Sequence, residues 1–542
     1  MKSNKNNLVL LPIAIAVSIV IGITIGGKFS NSGGIHFSDR KINTILNLVS
    51  DGYLDTVNIN NIVEQAIPQL LSNLDPHTVY IPSKDLNAVN EELDGSFSGI
   101  GVSFFLMNDT VRIIEVLSGG PSEKAGLIAG DKIVSINDSA FVGPSINNQA
   151  VFNKLRGIKG SKVKLGIKRN NTNDILSYDI TRGDIPMVSI DASYMVDKEI
   201  GYIRIDKFAR TTYDEFLQAL VKLKNEGAEK YILDLRGNGG GFMEMAILMA
   251  NEFLPENSLI VYTKGRERKN DQQFWSDGNG SFQNVELAIL IDEFSASASE
   301  ILAGAIQDND RGLIVGRRSF GKGLVQKQFQ LNDSSAVRMT VSRYYTPSGR
   351  CIQKDYKKGE EAYNQDIYDR YAHGELANKD SIRIDTSNVF MTVNHRKVYG
   401  GGGIVPDIFV PTDTSGITSY YINVSNAGLL QKFAYEFAEI NRDEFKELND
   451  YKQFLRILPS NNSLLYDFVT YASKNGVPAR WFYINQSKSL IVNQLKALIA
   501  RDIFGTEAFY PIYNKNDKMI QKAVKAFNEN KASIPISENI SN

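Results

Sequence analysis

Along this chain the spacing of apolar positions changes repeatedly, and each change predicts a different element. From Leu8 to Ile25 apolar residues run almost unbroken, with only Pro12, Ser18, Gly22 and Thr24 between them. As a helix that run reaches about 27 Å, close to the thickness of a bilayer's hydrocarbon core. After a linker-like KFSNSGG, Ile42, Ile45, Leu46 and Val49 recur at helical spacing and predict one apolar helix face. A second helix is predicted over Ile62 to Leu74, interrupted at Pro68, which has no amide hydrogen to donate. Residues 35–94 therefore read as a helical region.

From Gly95 to Gly183 the pattern turns to short alternating strands punctuated by glycine, a β domain. Residues 184–412 then alternate strand and helix. IGYIRIDKF, KYILDLRGN, Leu259 to Thr263, Val285 to Ile291, Leu313 to Val315, Leu324 to Leu331 and Val337 to Tyr345 read as strands. Helices are predicted over YDEFLQALVKLKNEG and Met243 to Leu254, and the alternation argues for an α/β layered core. Residues 354–388 are charge-rich and read as an inserted surface loop. Beyond 413, stripes such as Leu430, Phe433, Phe437 and Ile440 predict a C-terminal helical region running to 542.

Charge and composition narrow the chemistry. Sixty basic and 61 acidic residues nearly cancel, which leaves no electrostatic footprint for nucleic acid. The single cysteine, Cys351, excludes an internal disulfide, and His36, His77, His373 and His395 show no metal-ligand spacing. No metal and no cofactor are expected, and the four histidines read as satisfied or solvated. Lys2 and Lys5 ahead of the apolar run favour an uncleaved membrane anchor within residues 1–27 and an exported body, in the periplasm or outside the cell. A cleaved signal segment is the alternative.

Two readings compete for Lys322. GRRSFGKG nearly spells a phosphate-binding loop from Gly316 to Lys322, but Gly323 stands where a magnesium-holding Ser or Thr is needed. The GLVQKQFQL that follows alternates like a strand, whereas a phosphate loop opens a helix. The other reading starts from EFSASASEILAGAIQD, a strand-to-helix turn with Ser297 between Ala296 and Ala298. Such a turn exposes a nucleophile and offers the Ala298 amide to an oxyanion, and it is equally the commonest place for a capping serine. No histidine is near, so Lys322 is the candidate base. Its pKa must fall by roughly three, about 4 kcal/mol, which burial can supply, helped by Arg317 and Arg318 if they point inward. Gln326 lies on the same side of the same strand and can orient the amine. The glycines of LDLRGNGGGF offer a second oxyanion amide, from Gly240 or Gly241, or simply a tight turn. Glu300 reads first as favouring the helix N-terminus.

These residues resemble the carboxy-terminal processing (tail-specific) proteases. The resemblance rests on SASASE around Ser297, FGKG at Lys322 twenty-five positions later, and glutamine four further on. LDLRGNGGGF resembles the family's oxyanion loop, with Gly239 where proline is usual; LDPHTVYI, TPSGRCIQ and GGGIVPDI also look like family segments. The resemblance covers roughly residues 40–412. It implies a multidomain chain: a crotonase-like α/β Ser-Lys protease core, an inserted PDZ-like domain over 95–183, and helical regions at both ends. In SGIGV, the amides of Gly99, Ile100, Gly101 and Val102 form a candidate nest for a peptide's terminal carboxylate, or an ordinary bulge. Arg156 resembles a family residue that couples the PDZ-like domain to the core. The implied partners are protein substrates with free C-termini and the membrane, with a homodimer through the helical ends also open. The rival reading is a catalytically inactive peptide-binding adaptor on the same scaffold.

Overall fold

In a computed structural model, residues 36–529 are described, except 108, 170, 171, 173, 446 and 449. The predicted anchor, Leu8 to Ile25, lies outside them. Among the described residues no helix is long and apolar enough to cross a membrane. The described residues divide at Leu70 and Leu71 into two compact units. The first contains the helix His36–Gly52 and nearly all of Ile59–Leu71, which carries Pro68 inside it.

The second unit is built around a six-stranded sheet. Its order is Ile190–Met195, Ile200–Ile205, Lys230–Asp234, Glu286–Ile291, Leu313–Gly316 and Ile408–Phe409. The first pair is antiparallel and the rest are parallel. Because side chains alternate across a strand, each central strand must be covered on both faces. Tyr231, Leu233, Leu287, Ile289 and Ile314 pack under the helices Thr212–Asn225, Met243–Asn251 and Ala298–Asp308. Ile232, Ala288, Leu290 and Val315 face the other way, onto Met519, Ile520, Ala523 and Phe527.

Those last four lie on Lys518–Asn528, inside the stretch that reads from sequence as a separate C-terminal helical region. This helix belongs physically to the layer of the six-stranded sheet. Arg236 reinforces the join, bonding Asp234 in the sheet and Asp517 at the helix N-cap, the latter at 2.7 Å. Phe527 is fully buried. Phe527→Ala is expected to lower stability by about 3–5 kcal/mol, measured from the urea midpoint.

A smaller sheet stands beside the first: Leu324–Gln330 pairs with Ala336–Tyr345, which also pairs with Val79–Ile81 and Leu259–Gly265. The 354–388 stretch differs from the loop reading. It contains the helix Glu360–Ala372 with Tyr363 and Arg370 buried, because its charges turn inward to partners. Arg370 donates to the Ser319 carbonyl at 3.0 Å and pairs with Glu375. The Lys354 ammonium sits 4.0 Å from the Phe320 ring and 4.2 Å from Tyr363.

Between Gly95 and Gly183 an antiparallel sheet runs Val102–Met107, Thr110–Val116, Lys132–Ile136, Lys162–Lys168 and Ile175–Thr181, with the helix Asn148–Leu155 against it. A two-stranded ribbon, Ser96–Gly99 with Gly183–Pro186, joins this domain to the core.

Candidate active site

The central strand Glu286–Ile291 is apolar from Leu287 onward and ends in a turn that the three alternating serines build. Ser295 donates to the Leu235 carbonyl at 2.8 Å, and Ser299 donates to the Asn238 carbonyl at 2.9 Å. Both are fully buried, committed to fixing the turn against the glycine loop. Ser297 differs. It has φ 57° and ψ −113°, a region that a residue with a side chain occupies only when its surroundings force it there. Ser297 lines a cavity of about 940 Å³ shared with Lys322 and Gln326, and with Glu300 it also forms the capping box at the head of its helix.

The glycine loop lies against this turn. A Cβ on Gly240 would stand 2.8 Å from Ser297 Cβ and 2.9 Å from the Ala298 amide nitrogen, so only glycine keeps that amide open. One expectation needs correction. The Gly240 amide donates to Asn238 Oδ1 at 2.8 Å, closing a turn within its own loop, so it is not the second oxyanion donor. Gly241 lines the cavity at φ 145°, and a Cβ there would collide with the Phe208 carbonyl, so no side chain fits. Ala298 begins its helix, where amides have no intrahelical acceptor.

Lys322 is largely buried, and its Nζ donates to Gln326 Oε1 at 3.1 Å. Gln326 in turn donates its Nε2 to the His77 carbonyl. Burial is the main force holding the Lys322 pKa below its ordinary value; the Arg338 guanidinium adds to it, while Glu300 and Asp75 pull the other way. Arg317 and Arg318 do not supply this repulsion. They are turned onto Glu293 and Glu375, each at 2.7 Å.

Glu300 does more than cap a helix. Fully buried, it accepts from Ser319 Oγ at 2.5 Å and Gly321 N at 2.7 Å on one oxygen. On the other it accepts from Ser297 N at 2.9 Å and Lys322 N at 2.8 Å. One carboxylate thus ties the nucleophile's backbone to the base's. Burial pushes its pKa up to about 7 against those four donors. Tyr344 adds a second tie, its hydroxyl 2.7 Å from the Lys322 carbonyl and 3.2 Å from that of Ser297.

His77 escaped the sequence reading because its contribution is a backbone carbonyl. Its ring is satisfied, 2.8 Å from the Tyr363 hydroxyl, and burial together with the Lys322 charge lowers its pKa to about 4. Asp75 fixes the turn by accepting from the amides of His77 and Thr78 at 2.9 and 3.0 Å. The segment LDPHT carried a signal only through the family resemblance.

Comparison with known proteins now bears on this arrangement. Residues 199–361 match Peptidase family S41, and residues 98–180 match a PDZ domain. The carboxy-terminal processing protease CtpB of Bacillus subtilis is 32% identical over 351 residues, spanning 64% of this chain and 72% of that protein. The chain belongs to the carboxy-terminal processing proteases. Two further members of this PDZ-containing serine protease family extend the comparison. That of Bartonella bacilliformis is 33% identical, over 57% of this chain and 71% of its own; that of Synechocystis is 36% identical, over 53% and 68%. Residues 420–505 match a family of unknown function (DUF8443).

In the PDZ domain of this family member, Gly99 ends the connecting ribbon and Gly101 has φ 77°. Ile100 is only 2% exposed, and its side chain belongs to the domain core. The carbonyls of Ile100 and Gly101 accept from Ser122 and Leu117 within the domain. Val102 opens the strand Val102–Met107, which is at the sheet's edge. Arg156 lies 4.2 Å over the Phe97 ring in the ribbon and 5.1 Å from Phe152. It therefore touches the link between domains, away from the catalytic residues.

Proposed function

We propose that this chain is a membrane-anchored, exported endopeptidase that captures protein C-termini through its PDZ domain and cleaves by Ser-Lys catalysis. Neutral Lys322 takes the Ser297 Oγ proton as Oγ attacks the scissile carbonyl, and the Ala298 and Gly241 amides receive the oxyanion. Lys322 then gives that proton to the leaving amine, which leaves an acyl-enzyme on Ser297. Water, losing a proton to Lys322, attacks the acyl carbonyl; the bond to Oγ then breaks, releasing the acid, and Lys322 returns the proton to Ser297 Oγ. Gln326 keeps the amine aimed throughout. The observation that carries this reading is the division among three serines: two hydroxyls are committed to main-chain carbonyls, and Ser297 shares the cavity of a buried lysine.

C-terminal recognition is supported by the edge strand and the Gly99–Val102 amides, which suit strand addition and a terminal carboxylate. Arg156, stacked on the ribbon, would carry the state of the PDZ domain toward the core. The Leu8–Ile25 run would hold the body at the membrane's outer face, and pairing of two copies through the helical ends is part of the same proposal.

The test uses the full chain in detergent with a loosely folded protein, its C-terminus free or amidated. Intact-mass spectrometry should find fragments with the free form and several-fold slower cleavage with the amide. Binding without cleavage would establish the adaptor reading instead.

A further inference from the structure

The C-terminal helical region contains a cavity of about 660 Å³ that the catalytic site does not use. It lies among the helices Tyr451–Ile457, Trp481–Phe504 and Thr506–Tyr513. Lys488, Lys496 and Lys515 line it, and no Asp or Glu does. Among the described residues no carboxylate pairs with any of the three. Lys488 also donates to Asn462 Oδ1 beside the cavity; in a chain whose charges nearly cancel, three like charges lining one concavity mark a field made for an anion. Burial and the neighbouring Lys515 charge lower the Lys496 pKa, the cost of holding two ammonium groups together without a counter-ion.

The rest of the wall says what kind of anion. Asn461, Asn485 and Asn516 carry amides that both donate and accept, which suits a peptide main chain, while Asn493 gives its Nδ2 to the Tyr513 carbonyl; a bare inorganic anion accepts only. Leu455, Val492 and Ile512 give an apolar floor, and the volume is that of a site for a ligand far larger than phosphate. A neighbouring cavity of about 650 Å³ shares Tyr451, Pro511 and Lys515 and adds Lys525; Asp197 and Glu529 also line it, so the basic field is confined to the first cavity and only a short bound segment would continue into the second.

We propose that this cavity is a docking site for an acidic stretch of polypeptide, separate from both the catalytic cavity and the PDZ domain. It gives the helical region a binding role of its own.

The test uses the full chain and a fluorescein-labelled hexaglutamate with an amidated C-terminus, so that terminal-carboxylate capture does not contribute. Anisotropy should rise saturably and weaken with added salt. The double variant Lys496→Gln/Lys515→Gln should bind at least tenfold more weakly. Lys474→Gln, on the same region but outside the cavity, should bind as wild type, and ester hydrolysis should be unchanged in all. Lys515 is exposed, so Lys515→Glu alone reads the same loss if the double variant misfolds. Absence of saturable binding, or binding indifferent to these substitutions, overturns the proposal. Inorganic phosphate that binds and is not displaced by the peptide overturns it too, in favour of a small-anion site.

Discussion

Replacing Lys322 with arginine is expected to abolish cleavage, lowering kcat by on the order of 10⁴-fold or more without loss of fold. Arginine keeps a positive charge in place but does not give up its proton near neutral pH. Ser297→Ala should lose as much, and combining the two should cost little more than either, because they act as a unit. The pH profile separates a base from a structural cation. Lys322 must be neutral to act, so kcat/KM should rise with pH through its depressed pKa. Arg338→Gln removes a charge that helps depress it, so that limb should move to higher pH. Stability follows with a definite sign. The folded state binds fewer protons than the unfolded chain between the depressed pKa and the ordinary 10.5, so stability falls as pH drops through that window. Lys322→Met should therefore be inactive and, at neutral pH, more stable than wild type in a urea titration.

Glu300→Gln should lower kcat by about 10²-fold, although Glu300 touches no reacting atom. The substitution keeps size and turns one acceptor oxygen into a donor facing two others, drawn from Ser297 N, Lys322 N, Gly321 N and Ser319 Oγ. Each buried donor left without an acceptor costs about 1–3 kcal/mol, and the cheapest relief is for the Ser297 turn and the Lys322 loop to part. A structural role alone would leave the shape of the pH profile intact. Here wild-type kcat/KM should fall more steeply below about 7, as Glu300 and Lys322 both take protons, and the variant should fall with the slope of one. For stability the sign is opposite to that of Lys322. Glu300 has a folded pKa of about 7 against an ordinary 4.5, so its contribution is present at low pH and lost as pH rises through that window.

What was legible in the sequence and what was not divide along physical lines. Short, nearly continuous apolar runs mark strands covered on both faces, so YILDL and ELAILI announced the sheet, and the Ser297–Lys322–Gln326 spacing announced the candidate chemistry. Backbone groups leave no such mark. Nothing in LDPHT says that the His77 carbonyl receives Gln326, and nothing in GNGGG says that the Asn238 side chain takes the Gly240 amide. Charge-rich stretches mislead when the charges find partners, as Arg370 and Lys354 do. Glu300 read as a cap because a cap needs only its own helix; its second task depends on a loop twenty residues away folding back over it. Lys518–Asn528 looked detached because the strands it covers end far upstream.

That last helix sets the order of assembly. Ser297 and Lys322 are synthesised about 200 residues before the segment that roofs their sheet. Until it arrives, Ile232, Ala288, Leu290 and Val315 face open solvent, and the layer that positions the nucleophile is half a sandwich. Contacts spanning so much chain form late and slowly. The chain therefore carries its own delay: the layer beneath Ser297 and Lys322 is closed only after about 200 further residues have been made.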